Sequence, residues 1–290
     1  MAGSSSSPAP VTRLRGSEDT QARPSRTSRR APGGWSAGIA ILAVCVAAAL
    51  GAPWIAPFDP TQMHGASRLA PPGWPFLLGT DFYGRDILSR VLWGIRSSLA
   101  IAAGSVAGSA AAGTALGVAA GFVGGRLDTL IMRSMDVLFA FPVMLLGIAI
   151  VVVLGPGFVS TVVAISVVYI PIFARIARGP TLSARAQPFV EAARALGQTE
   201  WVIMWRHVLP NIMGPVLVQV TNSLATAILF ESALSFLGLG VQPPAPSLGQ
   251  MVSEGRGYLE LSPWATVFPG AAIMVAVMGF NLMGDALQQR

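Results

Sequence analysis

The chain has 290 residues, of which 53% are hydrophobic and only 11% charged, with a formal net charge of +6. A soluble domain of this length carries about 25% charged residues, so the composition excludes a water-soluble globular protein and implies a polytopic membrane protein. All 19 basic residues are arginine, which excludes a Walker A loop and Schiff-base catalysis, and the single cysteine, Cys45, excludes an intrachain disulfide, an iron–sulfur cluster and a Cys-rich zinc site.

Residues 1–34 hold Ser, Pro, Gly and six arginines with almost no large apolar side chain. Such a segment cannot bury enough surface to order itself, which predicts a disordered basic tail. It is too long and too polar for the n-region of a signal peptide. Six apolar runs follow, at about 36–56, 97–123, 130–154, 158–178, 212–236 and 264–285. Each approaches the roughly 20 residues that a helix needs to cross hydrocarbon, and lipid leaves no partner for backbone groups outside helices or closed barrels. The sequence therefore predicts an all-α protein of six spans. Gly155, Pro156 and Gly157 make a tight turn between the third and fourth.

With the N-terminus inside, 14 arginines fall on the inner side and five (Arg68, Arg85, Arg90, Arg96 and Arg256) on the outer. The positive-inside rule then places both termini in the cytoplasm. This distribution explains the net charge without a nucleic-acid partner. In the outer loop, Ile87, Leu88, Val91, Leu92 and Ile95 share a stripe and predict an amphipathic helix along the interface before span two. In the inner loop 179–211, Pro188 suits a helix start and Gly197 a left-handed stop after Leu196. Thr199 suits the cap of a second short helix, with Glu200 at its positive end.

That inner loop reads Glu191-Ala192-Ala193, three residues, Gly197, and then Leu209-Pro210. It resembles the EAA motif of ABC-importer permease subunits, with His207 at the position the motif gives to Ile and Val208 beside it. Gly79-Thr80-Asp81, Gly84-Arg85-Asp86, Ser89-Arg90, Gly94, Arg96 and Ser98-Leu99 resemble the segment before span two in peptide and nickel permeases. The stretch 231–249, and Asn281-Leu282 with Gly284-Asp285, resemble the C-type subunit of that group. The resemblance covers about residues 36–290. It implies a type I importer permease over 35–290, in a bacterial inner membrane, carrying dipeptides or oligopeptides, with nickel chelates as the alternative. It also implies partners: a second, B-type permease, two cytoplasmic ATPase subunits and an extracytoplasmic peptide-binding protein. The chain itself would then supply no catalytic residue, cofactor or metal. Its coupling loop would be Glu191, Ala192, Ala193, Gly197, Leu209 and Pro210, the two alanines allowing close approach to a partner groove.

Several smaller features complete the reading. Glu231 stands inside the fifth run; counted from Ile212 it lies about 28 Å along, near the outer interface, where desolvation is modest. It is either a structural carboxylate or a gate or substrate contact. Arg133 and Asp136 are spaced to pair on one helix face. Gly104, Gly108, Gly113, Gly117, Gly121 and Gly125 allow close helix approach, to a span of this chain or to a second permease. Pro142, Pro171, Pro215 and Pro269 predict kinks. Gly34-Trp35-Ser36-Ala37-Gly38 matches a nucleophile elbow but leads into a membrane helix, without the strand that an elbow needs. His64 and His207 fall on opposite sides of the membrane and cannot share a metal. Few ionisable groups lie near mid-membrane, which disfavours a stand-alone ion-driven carrier.

Overall fold

The computed structural model describes the backbone from Gly34 to Gln288; the predicted tail lies outside these residues except for Gly34. In chain order the helices are α1 (Gly34–Ile55), α2 (Ile87–Val123), α3 (Gly125–Phe139), α4 (Val143–Leu154), α5 (Phe158–Arg185) and α6 (Pro188–Ala195). They are followed by α7 (Glu200–Val202), α8 (Leu209–Phe236), α9 (Leu248–Gly255) and α10 (Trp264–Gln288). A π-helical turn, Ile203–Val208, joins α7 to α8, so that Glu200–Phe236 is one rod of 37 residues. Five helices are long and apolar enough to cross a membrane, or six if the pair α3 and α4, bent by 90° at a short break, is counted as one span.

Two of the expected spans differ in form. Span two begins at Ile87, not near 97, because the Asp86 carboxylate caps α2 by accepting from the Ser89 N–H at 2.8 Å. The stripe expected to lie along the interface is therefore the first three turns of α2. Ile87, Val91 and Ile95 are buried against Ala49, Leu248, Met251 and Ala265. Span three, expected as one helix over 130–154, is two helices bent by 90°. Pro142 lacks an N–H and disfavours helical geometry at Phe141, and α3 carries Arg126, Asp128, Arg133 and Asp136 where a hydrocarbon helix would carry none. Its acidic groups are drawn to α5: Arg178 donates twice to Asp128, both at 2.6 Å, and Arg175 donates to Asp136 at 2.7 Å. The pair expected between Arg133 and Asp136 does not form, since Asp136 is engaged by Arg175. Pro171, Pro215 and Pro269 lie inside helices that continue through them, so only Pro142 marks a sharp break.

The glycine repeat of α2 faces α5 of the same chain. A Cβ at Gly113, Gly117 or Gly121 would stand 2.5, 2.2 and 2.9 Å from the carbonyl oxygens of Ile170, Ala174 and Arg178. Those oxygens belong to backbone and cannot swing aside. Ser166 crosses the same seam and donates to the Ser105 carbonyl at 3.1 Å. The core grows from this pair: Ile101, Val106 and Val118 of α2 meet Ile165, Val168 and Phe173 of α5, with Ile212, Ile228 and Leu234 of α8 completing it. Gly104→Ala, where the nearest atom is 3.6 Å away, is expected to leave the thermal midpoint of the purified protein unchanged. Gly117→Ala is expected to destabilise by about 1–3 kcal/mol through overpacking, read as a lower midpoint in a tryptophan-fluorescence melt.

Candidate functional site

The loop after α5 is built on local capping. Pro188 opens α6, where a missing N–H costs nothing. Gly197 closes it with φ +75°, and the Gly197 and Gln198 N–H groups donate to the Arg194 and Ala193 carbonyls at 2.9 and 3.1 Å. This is the Schellman pattern, which places a left-handed residue after the helix. Thr199 then caps α7 by accepting from the Val202 N–H. Arg194 holds Glu200 across the turn with two bonds of 2.8 and 3.0 Å. That hydrogen-bonded carboxylate keeps the exposed Arg194 guanidinium more firmly protonated than an isolated one.

The same loop is joined rigidly to a span. Pro210 has no N–H to offer the Arg206 carbonyl, and the turn before it widens so that the Leu209 N–H reaches Met204 five residues back. Asn211 donates its side-chain amide to the His207 carbonyl at 2.6 Å, which satisfies an acceptor within this irregular turn. His207 itself meets the Gln198 side chain at 2.8 Å. Val208, fully buried, makes the apolar contact that the EAA pattern gives to Ile. The two alanines of the motif have different surroundings: Ala193 is buried with Val190 in the main core, whereas Ala192 is exposed beside Glu191. Leu196 and Trp201 are 80% and 66% exposed. Large apolar side chains left open on a polar loop mark a surface that meets a partner or the membrane.

At the other end of α8 the structure forms a second constellation. Glu231 is fully buried. Ser98 of α2 donates to Glu231 Oε2 at 2.7 Å, while Ser235 of α8 and Ser247, which precedes α9, donate to Oε1 at 2.7 and 3.3 Å. The expected light desolvation near a helix end is corrected, because neighbouring segments close over the carboxyl. No cation pairs with it among the described residues. Nearby, Arg85 binds Asp81 at 2.6 Å and Glu254 of α9 at 2.7 Å, and the buried Arg90 donates to the Pro60 carbonyl at 3.2 Å. These bonds knit the segment 57–86 to α2 and α9. His64 packs between Phe58 and Phe76, and no group of three metal-ligating side chains occurs among the described residues. Gly34–Gly38 forms the first turn of α1.

The described residues form a bundle of spans whose exposed loop is locked to a transmembrane rod. Residues 113–290 match the family described as binding-protein-dependent transport system inner membrane component, and residues 36–72 match the N-terminal transmembrane domain of oligopeptide transport permease C. The chain belongs to the first of these families and is a permease subunit of an ABC transporter. It is 44% identical over 257 residues to the di/tripeptide transport system permease protein DppC of Pseudomonas aeruginosa, covering 87% of this chain and 85% of that one. The dipeptide permease DppC of Alkalihalophilus pseudofirmus is 41% identical, at 87% and 83% coverage. The glutathione transport system permease protein GsiD of Escherichia coli is 43% identical, at 84% and 80%. The inward-facing MetNI methionine ABC transporter shares the fold, with a TM-score of 0.57 and 19% identity over 69% of this chain and 95% of that one.

Removing the carboxyl in Glu231→Ala leaves three buried hydroxyls without their acceptor, at about 1–3 kcal/mol each. A fall of several degrees in the thermal midpoint is expected. Glu231→Gln, which keeps an acceptor and the shape, is expected to melt close to the parent.

Proposed function

We propose that the chain is one half of the translocation path of an ATP-driven importer for dipeptides and oligopeptides, moved by cytoplasmic ATPase subunits through the loop 188–210. The observation that carries the reading is the unbroken rod Glu200–Phe236, clamped to α6 by the Gly197 turn and the Arg194–Glu200 pair. A displacement of α6 reaches α8 without a flexible joint. The peptide assignment rests on the named substrates of the relatives. In this reading the loop faces the cytoplasm with both termini, a B-type permease completes the path, and a peptide-binding protein delivers substrate from outside. Glu191, Ala192, Ala193, Gly197, Leu209 and Pro210 form the lever, and Ala192, Leu196 and Trp201 are its contact face. Glu231 acts as a latch on the outer segment.

ATP drives such a switch only through different affinity for two states, so the lever must meet the ATPase differently in each. Ala192→Trp alters the contact face without touching the core. It is expected to insert and melt like the parent while losing most peptide uptake, with ATP hydrolysis persisting in vesicles. Gly197→Val forces a β-branched residue into left-handed backbone at about 1–2 kcal/mol and is expected to uncouple in the same way. Normal coupled uptake in both variants would defeat the lever. The substrate class is tested by uptake of radiolabelled dipeptides and tripeptides, against nickel, in cells lacking the chain: loss of peptide uptake alone is expected.

A further inference from the structure

Between Leu209 and Phe236 the only ionisable residue is Glu231, and it is sealed inside the bundle. Apart from Asn211 near its start and Ser232 and Ser235 near its end, the other polar side chains of α8 cluster at its midpoint. Gln219, Asn222 and Thr226 follow at the spacing that puts residues on one helix face, and none of the three is buried. Thr226 turns its hydroxyl back to the Asn222 and Ser223 carbonyls of its own helix. Gln219 spends one N–H on Ser223 at 3.0 Å and keeps its remaining donor and acceptor groups. The Asn222 amide makes no hydrogen bond among the described residues. It lies over Gly284 of α10, where an added Cβ would stand 2.7 Å from Asn222 Oδ1. On the other side Phe230 closes against Gly147 of α4, where a Cβ would stand 2.5 Å from the ring. Thr226 also meets the Tyr169 hydroxyl of α5, so the stripe's free groups are the amides of Gln219 and Asn222, set between two packed flanks.

An unpartnered amide facing hydrocarbon costs several kcal/mol, so polar groups at this depth face water, a ligand or a partner subunit. These groups are uncharged and offer both donors and acceptors, as peptide N–H and C=O groups do. They would bind the feature that every peptide shares and would not select on side-chain charge. We propose that Gln219, Asn222 and Thr226 line the translocation path and that the Gln219 and Asn222 amides hydrogen-bond the backbone amides of the passing peptide. The inference rests on the peptide-importer reading above.

The test uses the complete transporter with Cys45→Ala, which leaves a chain without cysteine. Asn222→Cys and Thr226→Cys are compared with Leu217→Cys, whose parent side chain is 52% exposed but lies roughly 140° round the helix from Asn222. Thiols in apolar surroundings stay protonated and react slowly, so a membrane-impermeant methanethiosulfonate should modify the first two about tenfold faster than the third. A saturating tripeptide should protect both. Rates as slow as that of Leu217→Cys would overturn the proposal and place the stripe in a dry interface between permeases. Fast reaction without protection by the tripeptide would overturn the peptide contact; protection by a different solute would overturn the peptide reading instead. In parallel, Asn222→Ala should lower uptake at sub-saturating tripeptide by about tenfold, the equivalent of 1.4 kcal/mol, and Asn222→Gln should recover most of it. Equal losses in both variants, with normal insertion, would count against hydrogen bonding by this side chain.

Discussion

The close approach of α2 and α5 is the constraint on which the rest of the molecule depends. Lipid gives helices no hydrophobic reason to associate with one another, so they associate through contact area and interhelical bonds. Three glycines on α2 remove the side chains that would hold the backbones apart, and α5 supplies carbonyls in the vacated space. With α5 fixed, Arg175 and Arg178 are placed to capture Asp136 and Asp128, and this holds α3 across the bend at Pro142. The end of α5 then launches the loop that carries α6. The opposite half of α2 presents Ser98 to Glu231 and Arg90 to Pro60 of the segment 57–86, whose Arg85 reaches Glu254 of α9. One seam thereby sets the position of both functional ends.

The loop is stiff because of how its backbone groups are satisfied. A helix that ends in a Schellman turn, a capped restart, and a π turn that absorbs a proline leave few free joints between Pro188 and the middle of the membrane rod. Val190, Ala193, Ile203, Met204 and Val208 belong to the same apolar core as the spans. A lever needs one face bonded to what it moves and another open to what moves it. In the proposed coupling role, the motif's two alanines, Ala193 inward and Ala192 outward, would provide both.

Local signals carried most of what could be read from the residues alone. The apolar runs located the spans, Pro188 and Gly197 located α6, and Thr199 located the next start, because caps and turns depend on neighbours only a few positions away. Features that depend on distant residues were not legible. The charges of Arg85 and Arg90 argue for a loop until Asp81 and Glu254 are brought to them, and only then can α2 begin at Ile87. The depth of Glu231 could not be judged by counting along its own helix, because Ser98, 133 residues away, closes over it. The partner of the glycine repeat was open for the same reason, and so was the fate of Asp136, which finds Arg175 rather than the nearer Arg133.

One rule of membrane physics sorts the polar groups of α8 into two kinds. A polar side chain at membrane depth must be satisfied, and there are only two ways to do it. Glu231 is satisfied from within, by hydroxyls drawn from three segments, so it serves to hold those segments together. Asn222 is only half-buried and its amide makes no hydrogen bond among the described residues, so in the proposed path whatever satisfies it comes from outside the chain. The absence of a partner is informative here because hydrocarbon cannot supply one. The two groups lie nine positions apart on the same helix, and it is this difference in satisfaction, not their residue type, that separates the latch from the path.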